Sequence, residues 1–230
     1  MSSLLLIDTV ERQAAPGPRC EPEGSAFVAQ RRSPRNKGVR FPAEVLTEDE
    51  VRRLLRAASG RAPTGIRNRA LIAVLYRGGL RVSEALALYP KDADAQAGTL
   101  RVLRGKGGRA RTVGLDPTAF ALVERWLDRR RALGISGRAP LLCTLHGERV
   151  KTAYVRALLP RLARRAGIEK RVHAHGLRHT HASELAREGL PMNLVQVQLG
   201  HSSLATTTRY LAHLAPAEVI AAMRQREWKP

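Results

Sequence analysis

Apolar residues recur at helical spacing along most of this chain, and only one pair of short segments alternates in the way that strands do. Residues 99–103 and 110–115 form that pair. The glycine-rich stretch 104–109 between them predicts a β-hairpin. The sequence therefore predicts an α+β domain that is mainly α-helical and carries one small antiparallel β-sheet.

The ends of several helices are marked by residues that favour caps and turns. Thr47-Glu48-Asp49-Glu50 has the form of a capping box, so the first helix should begin there. Gly78-Gly79 should end the second helix, and Ser83 should cap a short third one that runs through Leu88. The helices predicted after the first span about 66–77, 84–88, 117–133, 151–166, 176–188, 191–198, 203–213 and 216–227.

The chain is strongly basic. Lysine and arginine number 40 against 20 aspartate and glutamate, which gives a formal net charge of +20. Self-repulsion on this scale destabilises a compact state, and nucleic acid is the partner that relieves it best. Aromatic residues are only 4% of the chain, which disfavours binders that stack single-stranded bases and favours double-stranded DNA. From charge alone, a small RNA-binding or ribosome-associated protein remains the alternative.

Residues 1–43 differ in composition from the rest of the chain. Proline and glycine residues interrupt any helical or strand periodicity there, and basic residues are concentrated near its end. We therefore expect a flexible basic arm, which is either a solvated linker or a segment that follows DNA. A folded domain is expected over 44–215, followed by a C-terminal helix or tail over 216–230. The candidate DNA contacts in the arm and the hairpin are Arg31, Arg32, Arg35, Lys37, Arg40, Arg104 and Arg109.

The sequence contains little that points to export or to a membrane. Leu4-Leu5-Leu6-Ile7 is too short for a bilayer span or a signal-peptide core. The two cysteines, Cys20 and Cys143, do not suggest a disulfide framework. We therefore expect a cytoplasmic protein with no membrane partner.

Two basic residues in the first half of the predicted domain have the form of phosphate-handling groups. Arg81 follows a glycine pair at the start of a helix, and Glu84 lies one turn later, where it can brace the guanidinium. A braced guanidinium presents a planar fork to two phosphate oxygens. Lys106 is expected at the tip of the hairpin. Lysine can act as a general acid there, whereas arginine does not release its proton in a protein.

Histidines and a late tyrosine complete the set. His175 and Arg178 are three residues apart and share a helical face. His201 follows Gly200 in a turn between helices. Tyr210 is a weak nucleophile that needs a base and cations nearby. Ligand spacing for a metal is poor around the remaining histidines, which are expected to be structural or exposed; these are His173, His179 and His181.

Together these segments resemble the catalytic domain of the tyrosine recombinases, the phage integrase family. They occur in the family's order and cover roughly residues 45–215. The matching segments are Gly79-Leu80-Arg81-Val82-Ser83-Glu84-Ala85-Leu86, Arg104-Gly105-Lys106-Gly107-Gly108, His175-Gly176-Leu177-Arg178-His179-Thr180, Leu199-Gly200-His201-Ser202-Ser203 and Thr207-Thr208-Arg209-Tyr210.

The resemblance implies a role for each residue of the set. Arg81 and Arg178 would bind the scissile phosphate, with a hydrogen bond added by His201. Lys106 would protonate the departing 5′ oxygen and His175 would assist proton transfer, while Tyr210 would form a 3′-phosphotyrosyl link. The resemblance implies neither a cofactor nor a metal ion. Its partners would be double-stranded DNA, further copies of the chain in a synaptic tetramer, and possible accessory proteins.

The chain departs from the family in one respect. Members usually carry a helical core-binding domain before the catalytic domain, whereas here only the basic arm precedes residue 44. The chain is then either a fragment or a minimal recombinase. Two other functions stay open, namely DNA relaxation of the type IB topoisomerase kind and a non-catalytic DNA-binding regulator on the same fold. The target site and the biological task, integration, resolution or transposition, are not encoded in any motif.

Overall fold

The computed structural model describes residues 44–103, 110–200 and 224. Between residues 44 and 200 the described part is mainly helical with one small sheet, which confirms the predicted fold class. The helices are α1 (Glu48–Ala57), α2 (Pro63–Tyr76), α3 (Val82–Ala87), α4 (Pro117–Ala132), α5 (Thr152–Arg165), α6 (Ala174–Arg187) and α7 (Met192–Leu199). The strands are β1 (Ala93–Asp94), β2 (Thr99–Val102) and β3 (Arg111–Gly114).

Helix α2 lies at the centre of the core. Every residue from Ile66 to Tyr76 except Arg69 is buried. A helix that is buried around most of its circumference must be covered on several sides. Packing of α3, α4 and α6 against α2 supplies that cover. Because α3 and α6 both pack against α2, their positions relative to each other are fixed.

The predicted hairpin is present as strands β2 and β3, which pair antiparallel with Thr99 opposite Gly114 and Val102 opposite Arg111. Strand β1 adds to the other edge of β2 and gives the order β1-β2-β3. Neither β1 nor the short 3-10 turn Pro90–Asp92 before it was predicted, because two residues are too few to show alternation.

Three helices begin earlier than predicted: α2 begins at Pro63 rather than about 66, and the starts of α3 and α6 are explained by side-chain contacts. Ser83 is not the cap of α3, because the Glu84 carboxylate accepts the Arg81 backbone N–H at 2.9 Å and places Arg81 at the N-cap position. Helix α6 begins at Ala174 rather than 176, because the His173 imidazole Nδ1 accepts the Gly176 N–H at 3.1 Å and caps the helix. The prediction that His173 is structural is thereby confirmed.

Several expectations fall on parts of the chain that the structure does not describe. These are the arm 1–43, the hairpin tip 104–109 and the helices expected at 203–213 and 216–227. None of the described helices is long and apolar enough to cross a bilayer. Cys143 is a buried free thiol.

Candidate active site

The turn between α2 and α3 sets the direction in which Arg81 leaves the core. Gly79 has a φ of 59°, a left-handed conformation that favours glycine. Leu80 is fully buried and anchors the turn. Arg81 follows at the start of α3 with its side chain 29% exposed. The prediction that a glycine pair presents Arg81 at a helix start is confirmed.

Glu84 braces the guanidinium of Arg81, as predicted. Arg81 Nη1 donates to Glu84 Oε1 at 2.8 Å. The Glu84 side chain is 3% exposed and also accepts two hydrogen bonds from Arg111. Burial by itself would raise the pKa of Glu84, but the hydrogen bonds and positive charges of Arg111 and Arg81 lower it to about 2. Glu84 is therefore ionised at neutral pH and keeps Arg81 aligned.

Arg178 is built into the protein core more deeply than Arg81. It is 2% exposed, and its Nη1 and Nη2 atoms donate to the carbonyl oxygens of Gly79 and Leu199, each at 2.5 Å. One guanidinium thus joins the end of α2 to the end of α7. The sequence predicted Arg178 only as a phosphate ligand, and the structure adds this role in holding two turns together.

His175 lies three residues before Arg178 in α6, as the spacing predicted, but His175 is exposed whereas Arg178 is buried. Its ring meets that of His179 edge to face, with centroids 4.5 Å apart. Burial lowers the pKa of His175, and the charges of Arg178, His173 and Arg81 lower it further. The imidazole is therefore neutral at physiological pH, and two cations lie close enough to act on it.

His181 is a structural residue, as predicted. It is 3% exposed, its ring packs edge to face on Tyr76, and neither ring nitrogen bonds a described residue. Burial, followed by the charges of Arg77 and Arg178, lowers its pKa to about 3. A neutral His181 therefore fills the space beneath Gly79.

Sequence analysis missed the residues that organise the two arginines. Arg111 bonds Glu84 from strand β3. The carbonyl oxygen of Gly200 accepts from Arg81 Nη2 at 3.4 Å, directly before the predicted His201. The basic character of β3 was the available signal, but it did not indicate which carboxylate Arg111 would meet. The predicted Lys106, His201 and Tyr210 lie outside the described residues, as do Arg31, Arg32, Arg35, Lys37, Arg40, Arg104 and Arg109.

Replacement of Gly79 by alanine is expected to destabilise the domain strongly. A Cβ there would lie 2.8 Å from His181 Cδ2 and from Leu199 Cδ2, in addition to the strain of the positive φ. Overpacking of this kind costs about 1–3 kcal/mol. Gly134→Ala is the matched control, because Gly134 has a φ of 69° but its added methyl group meets no atom within 4 Å. Urea unfolding measures both variants, and equal losses of stability would contradict the predicted clash.

Comparison with known proteins places this arrangement in a family. Residues 44–216 match the phage integrase family. The chain belongs to the phage integrase family. This result confirms the resemblance that the motifs indicated.

Several phage integrase relatives are recombinases by name. The tyrosine recombinase XerD of Ralstonia nicotianae is 37% identical over 174 residues, which cover 75% of this chain and 56% of the relative. The tyrosine recombinase XerC of Xanthomonas axonopodis pv. citri is 37% identical over 197 residues, which cover 84% of this chain and 63% of the relative. The chain therefore spans less than two thirds of the length of these relatives.

Solved structures of the family have the same fold. The crystal structure of XerA recombinase is similar with a TM-score of 0.72 and 32% identity, covering 82% of this chain and 68% of that one. XerH site-specific recombinase, in a post-cleavage complex with palindromic difH substrate, is similar with a TM-score of 0.67 and 29% identity. The match covers 81% of this chain and 54% of the XerH chain.

Proposed function

We propose that this chain is the catalytic domain of a site-specific DNA recombinase that cleaves and rejoins DNA strands through a 3′-phosphotyrosyl intermediate. The observation that carries the proposal is that Arg81 and Arg178 bond the neighbouring carbonyl oxygens of Gly200 and Leu199, in a member of the phage integrase family. His175 lies one turn before Arg178 in α6. Two guanidinium groups supply the planar donors and the fixed positive charge that a phosphodiester in its transition state requires.

The proposed reaction is two successive transesterifications. The phenolic oxygen of Tyr210 attacks the scissile phosphorus as its proton passes to His175, and the bond to the 5′ oxygen breaks as that oxygen takes a proton from Lys106. A 3′-phosphotyrosyl ester and a free 5′ hydroxyl result. A 5′ hydroxyl from another strand then attacks the ester and releases Tyr210. In this reverse step His175 returns its proton to the phenol and Lys106 recovers one from the attacking hydroxyl. The ester retains the energy of the broken bond, so rejoining needs no ATP.

His175 is suited to assist proton transfer in this scheme. Burial and the neighbouring cations lower its pKa, so that the ring is neutral and can accept a proton near physiological pH. His201 would add a hydrogen bond to the phosphate. Its chain segment follows Gly200, whose carbonyl oxygen is bonded to Arg81.

Double-stranded DNA is the proposed substrate, and helix α5 is the proposed contact surface. Between Arg149 and Ile168 the chain contains no carboxylate and has six exposed cations, Arg149, Lys151, Arg156, Arg161, Arg164 and Arg165. A groove of about 470 Å³ runs beside α5, and its lining includes Arg156, Arg164, His173 and His175 together with one carboxylate, Glu169. This groove connects the basic helix to His175, so a backbone bound along it leads to the proposed reaction centre.

The Arg156→Ala/Arg164→Ala double variant is expected to bind duplex DNA more weakly at every sequence, because both side chains are assigned to phosphates. The slope of log K against log salt concentration should become shallower by up to about 2. Arg131→Ala/Arg138→Ala is the matched control, since it removes the same charge from exposed residues that do not line the groove. Equal slopes in the two double variants, measured by fluorescence anisotropy, would contradict the assignment of the groove to DNA.

A covalent trapping experiment tests the proposed chemistry. Nicked duplexes drawn from DNA that flanks the gene are mixed with the protein, denatured in detergent and resolved on a gel. Mass spectrometry of the adduct should find DNA linked to a peptide that contains Tyr210. Salt-sensitive binding without an adduct would instead favour a non-catalytic regulator, and loss of both would favour the RNA-binding alternative.

Two further assays separate recombination from relaxation. Relaxation of supercoiled plasmid without regard to sequence would favour the type IB topoisomerase alternative, whereas exchange between two defined sites supports recombination. We propose that exchange occurs in a tetramer of chains on DNA, with accessory proteins where the site requires them. A DNA substrate supports a cytoplasmic location, with the protein on the bacterial nucleoid when it is bound to DNA.

A further inference from the structure

Arg111 is a second arginine on the Glu84 carboxylate. Its Nη1 atom donates to Glu84 Oε1 at 3.0 Å and its Nη2 atom to Oε2 at 2.8 Å, in a parallel fork. Arg81 supplies two further donors, its Nη1 to Oε1 and its backbone N to Oε2. Four donors match the roughly four lone-pair sites of an ionised carboxylate. Glu84 is therefore held from two sides, and its position depends on both arginines.

Arg111 also packs against the turn at the end of α7. A Cβ built on Gly200 would lie 2.6 Å from Arg111 Nε and 2.7 Å from its Cζ, so the glycine backbone rests on the guanidinium. Gly200 has a φ of 64° and its carbonyl oxygen accepts from Arg81. The same strand is tied to α7 a second time, because the Gln198 side chain bonds the backbone N and O of Gly114 at 3.1 and 2.9 Å.

Three parts of the proposed site therefore meet at one side chain. Strand β3 follows the segment 104–109 in the chain, Arg81 is the N-cap of α3, and Gly200 directly precedes the predicted His201. The Arg111 side chain is 12% exposed, less than the 29% of Arg81. The Nη1 and Nη2 atoms of Arg111 both donate to the Glu84 carboxylate, so Arg111 holds Glu84 in position.

We propose that Arg111 is a positioning residue, which acts through Glu84 to aim Arg81 at the phosphate and keeps the hairpin and the Gly200 turn in register with it. The role rests on the proposed recombinase function of the site. A structural salt bridge would contribute stability alone, whereas a positioning residue changes the rate of strand cleavage at saturating DNA.

The test compares Arg111→Met and Arg111→Lys with Arg101→Met, an exposed arginine on the adjacent strand β2. Single-turnover adduct formation on nicked duplex is measured with protein in excess, alongside the Kd for the same DNA and the melting temperature. Arg111→Met should lower the cleavage rate by up to about 100-fold, because a displacement of about an ångström at a reacting group has effects of that size. Its Kd should change less than about fivefold, the size of about one hydrogen bond, and Arg101→Met should cleave at the wild-type rate.

Arg111→Lys is expected to recover part of the rate, since lysine keeps the charge but cannot form the fork. The pH profile gives a second readout. The charged side chains bonded to Glu84 are Arg81 and Arg111. Loss of Arg111 leaves only the hydrogen bonds of Arg81 to oppose burial, so the pKa of Glu84 should rise and the cleavage rate of Arg111→Met should fall at a higher pH than that of the wild type as the solution is acidified.

A double-mutant cycle keeps the test decisive if Arg111→Met loses stability. In a Glu84→Gln background, Arg111→Met should reduce the cleavage rate far less than it does in the wild type, because the two residues act as one unit. Independent effects, or a cleavage rate that falls only in proportion to DNA binding, would overturn the role of Arg111. A wild-type chain that forms no adduct on any duplex would overturn the proposed function and this role with it.

Discussion

A Tyr210→Phe variant is expected to form no covalent DNA complex and to bind duplex DNA as the wild-type chain does. The substitution removes the phenolic oxygen that the proposed mechanism uses as its nucleophile. The affinity for DNA should change by less than about 1 kcal/mol, the size of one hydrogen bond. Adduct formation on a nicked duplex and fluorescence anisotropy on the same duplex measure the two effects separately.

The other three tyrosines each have a described polar partner, and these contacts decide which of them can serve as a control. The Tyr76 hydroxyl donates to Glu184 Oε1 at 2.5 Å, and the Tyr154 hydroxyl accepts from Arg67 Nη2 at 2.6 Å. Tyr89 lies nearer the surface, with its hydroxyl 3.5 Å from Arg149 Nη2. Tyr89→Phe should therefore keep full adduct formation. An adduct that persists in Tyr210→Phe would show that another residue attacks the phosphate.

Arg178→Ala should have the largest combined effect on stability and on cleavage. Removal of the guanidinium leaves the buried carbonyl oxygens of Gly79 and Leu199 without these hydrogen bonds, at about 1–3 kcal/mol each. Cleavage should fall by roughly 100-fold or more, as it does when one transition-state donor is removed. Urea unfolding and single-turnover cleavage measure the two losses.

Arg81→Ala is the informative comparison, because the sequence predicts the same role for both arginines. Arg81 is 29% exposed, and two of the three hydrogen bonds that it donates in the described structure go to Glu84. Its loss should reduce cleavage about as much as the loss of Arg178 but destabilise the domain less. DNA binding should largely survive in both variants, and equal destabilisation of the two would contradict the distinction.

Local features of this chain were predictable and distant ones were not. The Arg81–Glu84 pair lies within one helical turn, so spacing alone predicted it, and the glycine pair correctly ended α2. Arg111 and Glu84 are 27 residues apart, and their pairing follows from how the hairpin packs on α3. The same limit applies to the contact between Arg178 and the Gly79 carbonyl. The net charge favoured a nucleic-acid partner, but no periodicity could say which cation meets which acceptor.

The Ser83 prediction failed for a different reason. Serine favours a cap position, but the Glu84 carboxylate competes for the backbone N–H of Arg81 and is held there by two guanidinium groups. The tertiary contact therefore selected the helix start. Residue preferences for caps therefore predicted the start of α3 poorly, because charged side chains from elsewhere in the chain act on it.

The bond from Arg178 to the Gly79 carbonyl joins residues 99 positions apart in the chain. Contacts between such distant segments form only after the intervening chain has closed into a loop, so they come late in folding. A nascent chain that ends before α6 lacks Arg178 and His175 altogether, and a partly folded one has not yet brought them to Arg81. In the proposed recombinase, Arg81 and Arg178 would therefore come together only after most of the described domain has folded.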